Sequence, residues 1–256
     1  MKSIPCIRSL FAGAVAAVSL SLAPALKADP LLTASYESQL EAWLGQGNLD
    51  FTNIYSKTTG DTTFDFHAAV DGMGATFVLM NVYGNGFGYF PLPSQIIGGY
   101  NPQSWSSAET YNLTSSDADR TAFIYNLSSG ALQRQNLIGE GDASSGETQT
   151  YNHHFFGPTF GYGLDLSVGY GTSIGGGFYS MDVGYARNYS YGGTSFGDEI
   201  VTGGPNFSNY SDFFVGQLEV YTIAPQVPDT GATAPMLGAV IVCLAAMRWN
   251  GRRGSS

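Results

Sequence analysis

The 256 residues carry a formal net charge of −10, few charged side chains (12%) and two cysteines, Cys6 and Cys243, one near each end. Residues 29–226 hold four basic residues, Lys57, Arg120, Arg134 and Arg187, against nineteen acidic ones. That balance of −15 argues against nucleic acid and anionic lipid surfaces as partners, and the missing cysteine excludes a disulfide, a thiol nucleophile or a thiolate-bound metal in this span.

In chain order, Lys2 and Arg8 precede an apolar stretch from Leu10 to Leu22 and then small residues. This is the pattern of a secretory signal peptide over residues 1–28, cleaved after Ala28 or, within "APAL", after Ala25. The remaining span to residue 226 is long enough for one domain with its own core.

"TASYESQLEAWLG" predicts a helix, because Tyr36, Leu40, Trp43 and Leu44 share one face and Gly45 follows as a stop. "TTFDFHAAVDG" predicts a shorter one, pairing Phe66 with Val70 and ending at Asp71-Gly72. After it the pattern turns strand-like. "ATFVLMNVY", "SQIIGGY", "TAFIYNL", "YNHHFF", "GLDLSVGY", "GGFYSMDV" and "VGQLEVYTI" are β-branched or aromatic runs bounded by Gly, Pro, Asn or Ser. Several are continuously apolar, as inner layers are. The expected fold is a β-rich α+β domain: two antiparallel sheets packed as a β-sandwich with a few helices outside, its loops rich in Asn, Ser, Thr and Gly.

The last thirty residues, 227–256, differ in kind. Residues Ala232 to Met247 form sixteen uncharged positions, short of the ~20 that span a bilayer, although Trp249 would extend them into the interface. Arg248, Arg252 and Arg253 follow directly and act as a stop-transfer cluster that keeps the terminus cytoplasmic. Val227-Pro228-Asp229-Thr230-Gly231, the short apolar transmembrane helix and the arginine end together resemble the VPDSG-type relatives of bacterial PEP-CTERM sorting signals, with Thr230 in place of the usual Ser. The resemblance implies an exosortase-type processing enzyme as partner, membrane anchorage before processing and display at the cell surface or in the extracellular matrix. Pro228 keeps Val227 extended, and Asp229 with Gly231 favours a turn, so the motif presents an accessible backbone above the bilayer.

Within the domain, "NIYSKTTGD", "FHAAVDGMGATFVLMNV", "IIGGYNPQSW", "TAFIYNL", "GPTFGYGLDLSV" and "GQLEVYTI", in that order, resemble the TLDc domain family. The resemblance implies the same two-sheet sandwich and no established catalytic set; an oxidative-stress role would be inherited by association alone. Its motif residues here are Gly98, Gly99, Tyr100, Trp105, Gly157, Pro158, Gly161 and Glu219. Gly98 and Gly99 permit close backbone approach, Pro102 breaks the strand, and Trp105 supplies a large apolar plug.

Candidate chemistry is sparse. His153 and His154 are adjacent; on a strand they face opposite ways and do not chelate one ion, so no histidine metal site is expected. His67 is expected to pack or cap its helix. Asp117 with Asp119, and Glu140 with Asp142, are loop pairs that could gather calcium, the one cofactor entertained, without matching a full calcium loop. Asp165 and Glu219 interrupt apolar strands and are expected on an outer sheet face. Neither G-x-S-x-G nor a phosphate loop is present. The expected function is a non-catalytic, exported surface or matrix protein contacting extracellular polysaccharide or neighbouring proteins. The alternative is an extracellular enzyme, a glycan hydrolase with two carboxylates, or a protective protein against oxidation.

Overall fold

The computed structural model describes residues 29–84, 93–140, 145–169, 179–187, 190–192, 200–201 and 210–226. The expected signal peptide, the sorting motif Val227–Gly231, the arginine cluster and Asp142 lie outside the described residues. No helix among those described is long and apolar enough to cross a membrane.

Helix α1 (Ala34–Leu44) forms where the apolar periodicity predicts it. Thr33 Oγ1 accepts from Tyr36 N at its start, and Gly45, in the left-handed region, closes it by donating to the Glu41 carbonyl at 2.8 Å. Helix α2 (Thr63–Val70) starts at a Thr62/Asp65 capping box and buries Phe66 and Val70 completely.

The strands are β1 (Leu49–Ser56), β2 (Thr76–Tyr83), β3 (Gln95–Asn101), β4 (Thr110–Leu113), β5 (Phe123–Asn126), β6 (Ala131–Arg134), β7 (Thr148–Asn152), β8 (Thr159–Phe160), β9 (Leu166–Val168), β10 (Val183–Arg187) and β11 (Tyr210–Pro225). The fold is β-rich and antiparallel, but the two separate sheets expected from the sequence are replaced by one hydrogen-bonded sheet of 11 strands in the order β4-β7-β8-β9-β10-β11-β2-β3-β5-β6, with β1 also on β11. The long β11 causes the continuity. Its first part pairs with β10 and its last part with β1, while β2 pairs along its other edge across a register shift between Val215 and Leu218.

The sheet doubles back on itself. Phe160 of β8 lies over Gly99 of β3, so close that a Cβ at Gly99 would sit 2.5 Å from the ring. β8 and β3 are far apart in strand order, so this contact is face to face and gives the molecule its sandwich-like layering.

Two apolar clusters occupy the two faces of the central strands. On β2, Val78, Met80 and Val82 turn toward Phe66, Trp105, Phe160 and Leu166, whereas Phe77 and Leu79 turn toward Leu40, Tyr100, Phe123 and Tyr125 beneath α1. Burial on both faces is why this strand reads as an unbroken apolar run. β1, β4 and β6 escape that logic, because they are short or have much of their length at the surface.

Asp165 and Glu219 are corrections to the expected outward placement. Asp165 is fully buried, and its Oδ1 accepts from Ser190 N at 2.7 Å and Tyr191 N at 3.2 Å. Glu219 is 7% exposed, and its Oε2 accepts from Leu31 N at 2.9 Å and the Tyr221 hydroxyl at 2.6 Å, clamping the chain ahead of α1 onto β11. Both carboxylates replace the water they lose with donors from distant segments, which simple alternation along a strand does not reveal.

Buried tyrosines make the fold alkali-sensitive. Burial pushes Tyr185 up to about 12, Arg187 opposing and Asp212 reinforcing, and it holds Tyr125 and Tyr191 well above the ordinary phenol. The folded state therefore keeps phenolic protons that the unfolded chain releases near pH ~10. Stability is full below about pH 10 and falls as pH rises toward the folded values, since the unfolded state then binds fewer protons. Tyrosinate absorbance should rise in a late step that coincides with loss of near-ultraviolet circular dichroism. Gradual titration of all tyrosines with the fold intact would contradict this.

Candidate functional site

The outer edge made by β4 and β7 carries three features. In the first, the register between these strands jumps from Asn112↔Thr150 to Leu113↔Thr148, leaving Gln149 as the extra residue of a bulge. Such a bulge re-aims its side chain. Gln149 Nε2 donates to Asn101 Oδ1 at 2.9 Å, and its Oε1 accepts from Gln103 Nε2 at 3.4 Å. Nearby, Gln135 Nε2 donates to Thr114 Oγ1 at 2.6 Å. Gln103, Leu113, Thr114, Asp119, Thr121 and Gln149 line a cleft of about 370 Å³ here. The buried Asn101 Nδ2 behind it has no hydrogen-bond partner. The lining sets amides and hydroxyls among the apolar Pro102, Leu113 and Ala118, with Asp119 its single charge among the described residues, and so suits a neutral ligand that offers both hydroxyl groups and apolar faces.

The second feature is a tyrosine ledge. Tyr111 and Tyr151 form a cross-strand pair with stacked rings 4.5 Å apart, and Tyr162, 59% exposed, tilts against Tyr111 at 5.7 Å. Flat, partly exposed rings offer apolar faces at little entropic cost.

The third is a histidine–carboxylate cluster. β7 ends at Asn152, and His153 and His154 enter a turn closed by Phe156 N donating to the His153 carbonyl at 2.9 Å. The strand alternation expected to separate the two rings therefore does not apply. They stack 4.7 Å apart, and both reach Glu109: His154 Nδ1 lies 3.0 Å and His153 Nε2 4.0 Å from its Oε1. The three ligand atoms lie within 4.8 Å of one another, in the one such group of three among the described residues. Burial holds the His153 imidazole below its ordinary range; Glu109 opposes this shift, and His154 and His67 add to it. Phe155 N donates to His153 Nδ1 at 3.1 Å, so in the neutral ring Nε2 carries the proton.

A hydrogen-bonded chain joins the loops that supply these groups. Ser107 Oγ donates to Asp71 Oδ2 at 2.7 Å, and Asp71 Oδ1 meets His67 Nδ1 at 2.7 Å. His67 Nε2 in turn faces the carbonyls of Phe156 at 2.9 Å and His153 at 3.1 Å. His67, 6% exposed, thus braces the histidine turn from within α2.

The other expected site residues are dispersed. Asp117 Oδ1 accepts from Ile138 N at 2.8 Å, Asp119 Oδ2 from Ser116 Oγ at 2.7 Å, and Glu140 Oε2 from Leu137 N at 3.1 Å. Asp119 and Glu140 each brace their own turn, whereas Asp117 ties its turn to the backbone at Ile138, and these described acids form no group of three that could hold a metal ion. Gly98 and Trp105 lie in the core, Tyr100 packs on Phe77, and Gly157 N donates to the Val168 carbonyl at 2.8 Å ahead of the buried Pro158. Gly161, at φ 79°, passes directly over the Asp165 carboxylate, where any Cβ would collide with Oδ2. Sequence reasoning missed Gln149, Gln103, Tyr111 and Glu109. The His-His pair was the one visible signal, and its partner Glu109 stands 44 positions earlier.

No protein-family model matches the chain, and no curated protein matches it.

Proposed function

We propose that this chain is an exported protein, sorted at its C-terminus by an exosortase-type enzyme, whose TLDc-like β-domain is a non-catalytic binding module for neutral extracellular polysaccharide. The observation that carries the reading is the largely polar cleft at the β4–β7 bulge, together with the stacked tyrosine pair that the same two strands carry. Sugar hydroxyls pair with amide side chains, and sugar ring faces stack on tyrosine. The exported location rests on the signal-peptide pattern and on Val227–Gly231 with its apolar run and arginines.

A hydrolase reading fares less well on the described residues. Two-carboxylate hydrolysis needs a facing pair, and Asp119 is the single carboxylate lining the cleft, while Asp165 and Glu219 hold backbone amides.

The test has two parts. The intact mass of the protein recovered from its host should place the mature C-terminus between Pro228 and Gly231. The full-length chain should bind neutral host polysaccharide, with Gln103→Ala and Tyr111→Ala each weakening binding roughly five- to tenfold. A C-terminus at Ser256, or a preference for charged over neutral glycans with no effect of either substitution, would overturn the corresponding half.

A further inference from the structure

We propose that Glu109, His153 and His154 form a binding site for one divalent transition-metal ion of the zinc–copper class. Two imidazoles and one carboxylate on a four-coordinate ion, with the remaining position open to water, is a donor set such ions accept. Zinc–nitrogen and zinc–oxygen bonds of about 2.0–2.2 Å place neighbouring donors a little over 3 Å apart. His154 Nδ1 and Glu109 Oε1 already stand at 3.0 Å, and His153 Nε2 needs to close from 4.0 Å. A hard cation such as calcium prefers six or more oxygens and finds too few here.

Three further observations favour a site over a chance encounter of polar side chains. Glu109 has a φ of 57° and nearby Tyr179 a φ of 75°, left-handed conformations that side-chain-bearing residues adopt at a cost and that cluster where function demands them. The Ser107–Asp71–His67 chain fixes the loop of Glu109 and the carbonyl of His153 relative to each other, the role that outer hydrogen bonds play around metal ligands. An aromatic wall closes the other side, with Phe155 3.9 Å from the His154 ring, Phe64 stacked at 5.9 Å and Tyr179 on both phenylalanines. Partial exclusion of water strengthens ion–ligand attraction.

Loading changes the His153 tautomer. The neutral ring moves its proton from Nε2 to Nδ1, gives up the Phe155 N–H bond and offers the Nε2 lone pair to the ion. No net proton is released by that ring, and no redox partner is needed.

The test uses the untagged full-length chain. Equilibrium dialysis against zinc should give one bound ion per chain, with calcium and magnesium failing to compete. Glu109→Gln, on an exposed loop, and His154→Ala should each weaken zinc by at least about tenfold, and Ser107→Ala, a positioning residue, by roughly tenfold, with near-ultraviolet circular dichroism unchanged. In copper(II)-loaded protein, electron paramagnetic resonance should show hyperfine coupling to two imidazole nitrogens, reduced to one by His154→Ala. Zinc uptake that ignores Glu109→Gln and His154→Ala would overturn the proposal. So would a copper spectrum without paired nitrogen coupling in the unaltered chain, a readout that needs no variant to fold. The polysaccharide assay does not share these outcomes.

Discussion

Gly98→Ala is expected to cost about 3 kcal/mol or more, a large share of a domain's usual stability of about 5–15 kcal/mol. The reason is backbone, not side-chain, crowding. A Cβ at Gly98 would overlap the Val78 carbonyl oxygen on the paired strand and press on the Tyr125 hydroxyl, which itself donates to that oxygen at 2.8 Å. Relief requires β3 to move off β2 in the middle of the sheet, where both strands pair on both edges. In urea the unfolding midpoint should fall by roughly 1–2 M with an unchanged slope. Tyr125→Phe added to Gly98→Ala should not restore it, because the carbonyl overlap persists. Gly216→Ala is the control: it has side-chain and carbonyl neighbours no nearer than 3.4 Å, and should stay within about 0.5 kcal/mol of the starting protein. Equal midpoints for Gly98→Ala and Gly216→Ala would refute the argument.

Trp105→Ala should cost about 3–5 kcal/mol, the range for emptying a large aromatic site in a core. Trp105 is 1% exposed, meets Phe66 and Phe160 edge-on at 5.7 and 5.4 Å, and donates its indole N–H to Thr76 Oγ1 at 2.9 Å. Its carbonyl also accepts from Gly72 N, tying the loop that leads to Ser107 and Glu109 onto the end of α2. Trp105→Phe keeps most of the ring packing, strands the Thr76 hydroxyl and should cost about 1–3 kcal/mol. Thermal unfolding should rank the three proteins in that order, and zinc affinity should fall in the alanine variant along with stability. A Trp105→Ala protein as stable as Trp105→Phe would show that the plug is not what holds the two layers.

The elements differed in how openly they were written in the chain. α1 was plain from one apolar face and a terminal glycine, both local. β2, β3 and β5 were plain because burial on both faces leaves a continuous apolar run. β1, with its mixed polar surface, could not be told from a loop, since its stability comes from pairing with β11 about 170 residues later. The continuous apolar runs, and with them the resemblance to a two-sheet family, predicted two separate sheets, yet one sheet forms because β11 is long enough to serve both layers.

The candidate site was largely illegible for the same reason. Strand periodicity put His153 and His154 on opposite sides, and it would have been right had β7 continued. The pairing of β7 with β4 and β8, and the bracing of the following turn by His67, end the strand one residue earlier. Gln149 reads as an ordinary strand residue until a bulge turns it. Asp165 reads as surface until the backbone of Ser190 and Tyr191 arrives to cover it.

Composition determined that residues 29–226 are acidic and without thiol chemistry, and near-neighbour spacing that they are β-rich, since those depend on which residues are present and on their local order. Local pattern was enough to place the two helices and β2, β3, β5 and the latter part of β11, whereas "YNHHFF" overran the end of β7 and "GGFYSMDV" was read as strand where β10 begins only at Val183. Which carboxylates are buried, which histidine face meets Glu109 and where the sheet folds over were decided by tertiary structure. Each depends on donors, acceptors and ring faces brought together from distant parts of the chain, and no local spacing encodes that meeting.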